Sequence, residues 1–238
     1  MRKKWLVISG VFAACVAISV IATSYLSGGF GNLAKNLKSM PNPKSEAIAR
    51  PREKVITEIS GEFATLEQKT GLSNFGSEFL DECYEGQNNW KVHQGFAHRC
   101  SYRITRYYGF NNDFKMQMTN FLNSLFSIGW NTNTNYNSDS IAMTYDYYRN
   151  VPSGSAPNPF LNGGMPAKKE ALEMDINYQD ARYLRNSLYD SQSIMLRAGY
   201  SKTYVNKQLL NVDTIVDTIA KNNQYLLVIK IEKDYFQN

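Results

Sequence analysis

The residues best equipped for chemistry gather in one short stretch, where Cys83, His93, His98 and Cys100 follow one another. Zinc sites use closely spaced ligand pairs such as Cys-x2–4-Cys or His-x3–5-His. His93 and His98, with four residues between them, fit such a pair, but the two cysteines do not. An even pair of cysteines in an oxidising compartment is most simply a disulfide. We therefore expect a Cys83–Cys100 bridge and no metal. Closing a loop of about 17 residues contributes on the order of 3 kcal/mol. Inside that loop lies Gln87-Asn88-Asn89-Trp90, an aromatic among amides. Trp90 there could stack on a sugar or a peptide, or simply plug a small core.

Other constellations are weaker. Glu173 and Asp175 alternate along one strand and could form an acid/base or cation site. Far more often such a pair is the solvated side of a sheet. There is no H-E-x-x-H, G-x-S-x-G or P-loop, and no G-x-G-x-x-G following a strand, so no cofactor is expected. Arg103, Tyr107 and Tyr148 combine charge with rigid aromatic area, which suits an interface.

The elements that position these residues follow from hydrophobic periodicity. Val55, Ile56, Ile59, Phe63 and Leu66 recur at helical spacing, and Gly71 is placed to end that helix. Cys100–Tyr108 alternates as a half-buried strand. Asn111, Asn112 and Asp113 are N-caps for a helix carrying Phe114, Met118, Phe121, Leu122 and Leu125. Ile141–Tyr148 alternates again, Val151–Pro166 reads as a loop, and Leu172–Tyr178 alternates once more. Val212, Ile215, Val216 and Ile219 mark a further helix. The apolar run in Tyr225–Tyr235 suits a central strand buried on both faces.

In order these elements read β-α-β-β-α-β. The expected fold is α+β, a ferredoxin-like antiparallel sheet with two helices on one face and an added N-terminal helix. Alternation would place Arg103, Thr105, Tyr107, Thr144, Asp146, Tyr148, Glu173 and Asp175 on the other, open face. Gln179–Leu210 is too long for a simple connection and should carry an insert.

Ahead of this domain, Trp5–Leu26 contains no charge and no proline. About 22 residues of helix at 1.5 Å rise span roughly 33 Å, enough for a hydrocarbon core. Arg2, Lys3 and Lys4 lie on its N-terminal side, so the positive-inside rule puts residues 1–4 in the cytoplasm and everything after Leu26 outside. A cleaved signal peptide and a lipoprotein signal at Cys15 are the alternatives weighed. Residues 27–53, rich in Gly, Pro and Lys, read as a flexible basic linker, and 54–238 as the extracytoplasmic domain.

Charge excludes one class of partner. From Val55 onward the chain carries 17 basic and 19 acidic residues, so the net charge of +5 belongs to the membrane-proximal region. A nucleic-acid binder concentrates positive charge on its folded module. No N-x-[ST] sequon occurs despite the many asparagines, which points to a bacterial envelope. The expectation is a single-pass, membrane-anchored, non-enzymatic module that binds a protein or glycan partner. The alternatives are an envelope enzyme with an unrecognised site and a structural subunit of a membrane assembly.

Overall fold

The computed structural model describes residues 42–86, 95–111, 113–132, 138–150, 162–181 and 202–238. Trp5–Leu26, the linker up to residue 41 and the Trp90 loop lie outside them. Among the described residues no helix is long and apolar enough to cross a membrane.

The elements are helix α1 (Glu46–Thr70), strands β1 (Asn74–Glu85) and β2 (His98–Phe110), and helix α2 (Phe114–Ser127). A short β3 (Asn131–Thr132), helix α3 (Ser138–Asn150) and strands β4 (Asn162–Lys169) and β5 (Leu172–Asp180) follow. The chain ends with β6 (Lys202–Gln208), α4 (Val212–Asn222) and β7 (Tyr225–Gln237).

All seven strands form one sheet in the order β3-β4-β5-β7-β2-β1-β6. Every neighbouring pair is antiparallel. The protein is thus α+β, as its pattern of elements implies, and β7 is the central strand. Both faces of β7 are apolar from Tyr225 to Ile229, and all five residues are buried. Each face therefore needs its own cover.

One face is covered by α1 and α2. Helix α1 buries Ile48, Val55, Ile59, Phe63 and Leu66, and α2 buries Phe114, Met118, Phe121, Leu122 and Leu125. These pack in one cluster with Ile104, Tyr108, Met174, Ile176, Leu227 and Ile229 of the sheet. Fully burying each large apolar side chain contributes roughly 1.5–3 kcal/mol before ordering costs. Helix α1 begins at Glu46, inside the segment expected as linker. It ends where Gly71 turns left-handed at φ 67° and donates its N–H to the Glu67 carbonyl. Glycine takes that conformation without the clash a Cβ would bring.

Ion pairs flank the apolar stripe of α1 and tie it down. Glu62 accepts from Trp130 Nε1 at 3.0 Å and Lys169 Nζ at 2.7 Å. Glu67 accepts from Arg106 Nη1 at 2.7 Å and from the Tyr108 hydroxyl at 2.9 Å. The helix lies on the sheet and is not a projecting stalk.

The other face is covered at one end by α4. Ile215 and Ile219 pack on Tyr107, Leu226 and Val228. This corrects the ferredoxin-like expectation in the placing of the helices and the number of strands. The helices sit on both faces, and the sheet has seven described strands, while β7 takes the central place expected of it, between β5 and β2. The physical reason is the two-sided apolarity of β7, which demands a central position and cover on each side.

A second correction concerns Ile141–Tyr148, which is helix α3 and not a strand. Its alternating apolar residues also satisfy a four-residue repeat. Ile141 is buried and Tyr145 stacks on Phe114 with ring centroids 5.3 Å apart, while Met143 and Tyr147 point outward. Residues 162–166, expected as loop, begin strand β4, where Gly163 pairs with Tyr178 of β5. A Cβ on Gly163 would meet the Tyr178 hydroxyl at 2.5 Å, so only glycine lets that ring lie across the strand.

Candidate functional site

The sheet places Arg103, Thr105, Tyr107, Glu173 and Asp175 on one face, as the alternation of β2 and β5 requires. That face does not present Arg103 and Tyr107 as free binding groups. Tyr107 is fully buried under α4, and its hydroxyl donates to Glu78 Oε2 at 2.8 Å. Glu78 Oε1 accepts the backbone N–H of Leu210 at 2.8 Å. Burial, then the Glu78 charge, pushes the Tyr107 phenol far above the usual tyrosine range. Arg103 gives Nε and Nη2 to Glu232 Oε2 at 3.0 and 2.6 Å, directly across the β2–β7 ladder. Both residues hold the sheet together.

The remaining candidates separate. Tyr148 belongs to α3 and so is not on the sheet, and its side chain lies outside the described residues. Thr144 and Asp146 leave the sheet with it, and Asp146 pairs with Lys115 of α2 at 2.7 Å. Trp90 and His93 also lie outside the described residues. Glu173 pairs at the surface with Lys168 at 3.0 Å. Asp175 faces Lys230 across the β5–β7 ladder, and burial lowers the Lys230 ammonium below the usual lysine value. Among the described residues no group of three His, Cys, Asp or Glu side chains could hold a metal.

Cys83 and Cys100 form the expected disulfide, as direct partners on β1 and β2 with Cα atoms 4.1 Å apart. Both are fully buried. Beside them lies a polar cluster whose components periodicity did not single out. Asp81 accepts from the Tyr235 hydroxyl at 2.7 Å and from Arg52 Nη1 of α1 at 3.3 Å. The Tyr204 hydroxyl lies 3.4 Å from the same Arg52 nitrogen. Burial, then the hydrogen bond to Asp81, raises the Tyr235 phenol. The cluster joins α1, β1, β6 and β7, and its groups are consumed in holding those elements.

A concave site lies elsewhere, at the far end of α1. A cavity of about 250 Å³ opens between the end of α1, helix α2 and the adjoining ends of β2 and β7. Its apolar lining comes from Leu72, Phe110, Met118, Phe121 and Leu227, all but Leu72 buried. Its polar lining comes from Lys69, Thr70, Gln117, Asn120 and Ser124. A hollow that combines apolar side chains with convergent polar groups is a candidate ligand site. In the sequence, Gln117, Asn120 and Ser124 read only as the solvated stripe of an amphipathic helix. Docking α1 so that Lys69 and Leu72 face that stripe makes it the wall of a cavity.

No protein-family model matches this chain, and neither the curated proteins nor the solved structures yielded a match.

Proposed function

We propose that this protein is a membrane-tethered, non-enzymatic binding module, held outside the cytoplasm by Trp5–Leu26, that engages a protein or envelope component at the cavity beside α2. The observation that carries this reading is the lining itself. Among the described residues it offers amides, hydroxyls, one ammonium and apolar side chains, and no carboxylate, imidazole or thiol. That inventory can orient and hold a ligand but supplies no ordinary general base or nucleophile at neutral pH. The buried carboxylates Glu78 and Asp81 lie elsewhere and are engaged by Tyr107, Leu210, Tyr235 and Arg52.

The position of the cavity fits a tethered module. Helix α1 has 25 residues, so its ends are about 37 Å apart at 1.5 Å per residue. The tether would join at Glu46, and the cavity sits at the opposite end, beside Lys69.

The test is site-specific photo-crosslinking in intact cells. A photoreactive side chain at Asn120 should give a discrete adduct, and the same group at Lys221 on α4 should not. Filling the cavity with Ser124→Trp should remove the adduct. Labelling from Lys221 alone, or an Asn120 adduct untouched by Ser124→Trp, would sink the reading.

A further inference from the structure

We infer that the cavity takes a compact apolar group bearing a carboxylate, with the apolar part on Phe110 and Leu227 and the carboxylate at the Lys69 ammonium. This rests on the binding reading above and specifies the chemistry of what is bound. Among the described residues that line the cavity, Lys69 alone carries a formal charge. Unlike Lys115, Lys169 and Lys233, it enters no ion pair among the described residues. The acidic neighbour two positions earlier, Glu67, is already engaged by Arg106 at 2.7 Å. Among the described residues no carboxylate answers the Lys69 charge, which lies in the last turn of α1, and an anionic ligand is the complement.

Size sets the apolar part. At about 30 Å³ per water-sized volume, 250 Å³ holds on the order of eight such volumes. That is room for a phenyl ring with one or two methylenes. The amides of Gln117 and Asn120 both donate and accept, so they can meet a peptide group next to the carboxylate. Two sources share this chemistry: the C-terminal residue of a peptide with an apolar side chain, and a free aryl or short alkyl carboxylic acid.

The experiment uses the full chain in nanodiscs with labelled Met and Leu methyl groups. Three soluble probes are titrated: N-acetylphenylalanine, its uncharged amide N-acetylphenylalaninamide, and 3-phenylpropanoate. N-acetylphenylalanine should shift the Met118 and Leu227 methyl resonances saturably. The amide should bind roughly tenfold more weakly, because it forfeits the charge-assisted contact. Lys69 is exposed, so Lys69→Gln should fold normally, and it should bring the acid down to the level of the amide. Tighter binding of N-acetylphenylalanine than of 3-phenylpropanoate assigns the site to a peptide terminus; equal binding assigns it to free acids. Either supports the inference. Equal affinity for acid and amide, an unaltered response in Lys69→Gln, or no Met118 shift with any probe would overturn it. In those cases the Asn120 crosslink still judges the binding reading on its own, so the two failures are distinguishable.

Discussion

Tyr235 donates its hydroxyl to Asp81 Oδ1 at 2.7 Å although their strands, β7 and β1, are not neighbours. The phenol reaches across β2, and its oxygen also lies 3.5 Å from Cys83 Sγ. Arg52 meets the other oxygen of the same carboxylate from α1. One buried acid on β1 thus ties α1 and β7 to the strand that carries Cys83 of the disulfide.

Removing that hydroxyl should be costly. Tyr235→Phe leaves Asp81 in place with one partner fewer, and a buried acceptor deprived of a donor costs about 1–3 kcal/mol. The denaturant midpoint should fall with the slope unchanged. Combined with Arg52→Gln, the losses should be non-additive, because both substitutions act on one carboxylate. Strict additivity would show that the three groups do not form a unit.

The disulfide should matter by about 3 kcal/mol, since it closes a loop of 17 residues. Replacing Cys83 and Cys100 together by serine should lower the unfolding midpoint accordingly. Both sulfurs are fully buried, so reduction in native buffer should be slow and accelerate with denaturant. Immediate alkylation of both thiols after mild native reduction would contradict their placement.

Three phenols set the alkaline limit. Tyr107, Tyr108 and Tyr235 are all raised above the usual tyrosine value, first by burial and then by Glu78, Glu67 and Asp81 respectively. The folded form holds these protons more tightly than the unfolded chain does. The associated stability is complete below about pH 10, the unfolded value, and is lost as pH rises from there through the raised folded values. In an ultraviolet titration, at least Tyr107, Tyr108 and Tyr235 among the 16 tyrosines should resist ionisation until the protein unfolds. A single transition for all of them, with the fold intact, would be inconsistent with these contacts.

The docking of α1 can be probed at Phe63, which is fully buried with the Arg106 guanidinium 4.6 Å from its ring centroid. Phe63→Ala should destabilise by about 3–5 kcal/mol. Met143→Ser on the exposed side of α3 should stay within about 0.5 kcal/mol. Comparable losses at both positions would mean that α1 is not part of the core.

Much of the fold was legible in local pattern because burial on one side leaves a period in the chain. The stripes of α1, α2 and α4 and the alternation of β2 and β5 each mark a single apolar side. Strand β1 hides because its buried positions include Glu78, Asp81 and Glu82, each about 1% exposed. Carboxylates read as surface, and only partners such as Tyr107 and Tyr235 make such positions tolerable inside. Helix α3 carries a strand-like pattern because Ile141, Met143, Tyr145 and Tyr147 fit a period of two and a repeat of four equally well.

Periodicity, composition and cysteine count thus sufficed for an α+β domain, its principal helices, a central β7 and the Cys83–Cys100 bridge. They could not determine strand order, the side of the sheet on which α4 lies, or that Arg103 and Tyr107 are buried while Lys69 borders a cavity. A sequence period reports which side of an element is apolar. It does not say whether the polar side meets water or another part of the chain, because that depends on contacts between residues far apart in sequence.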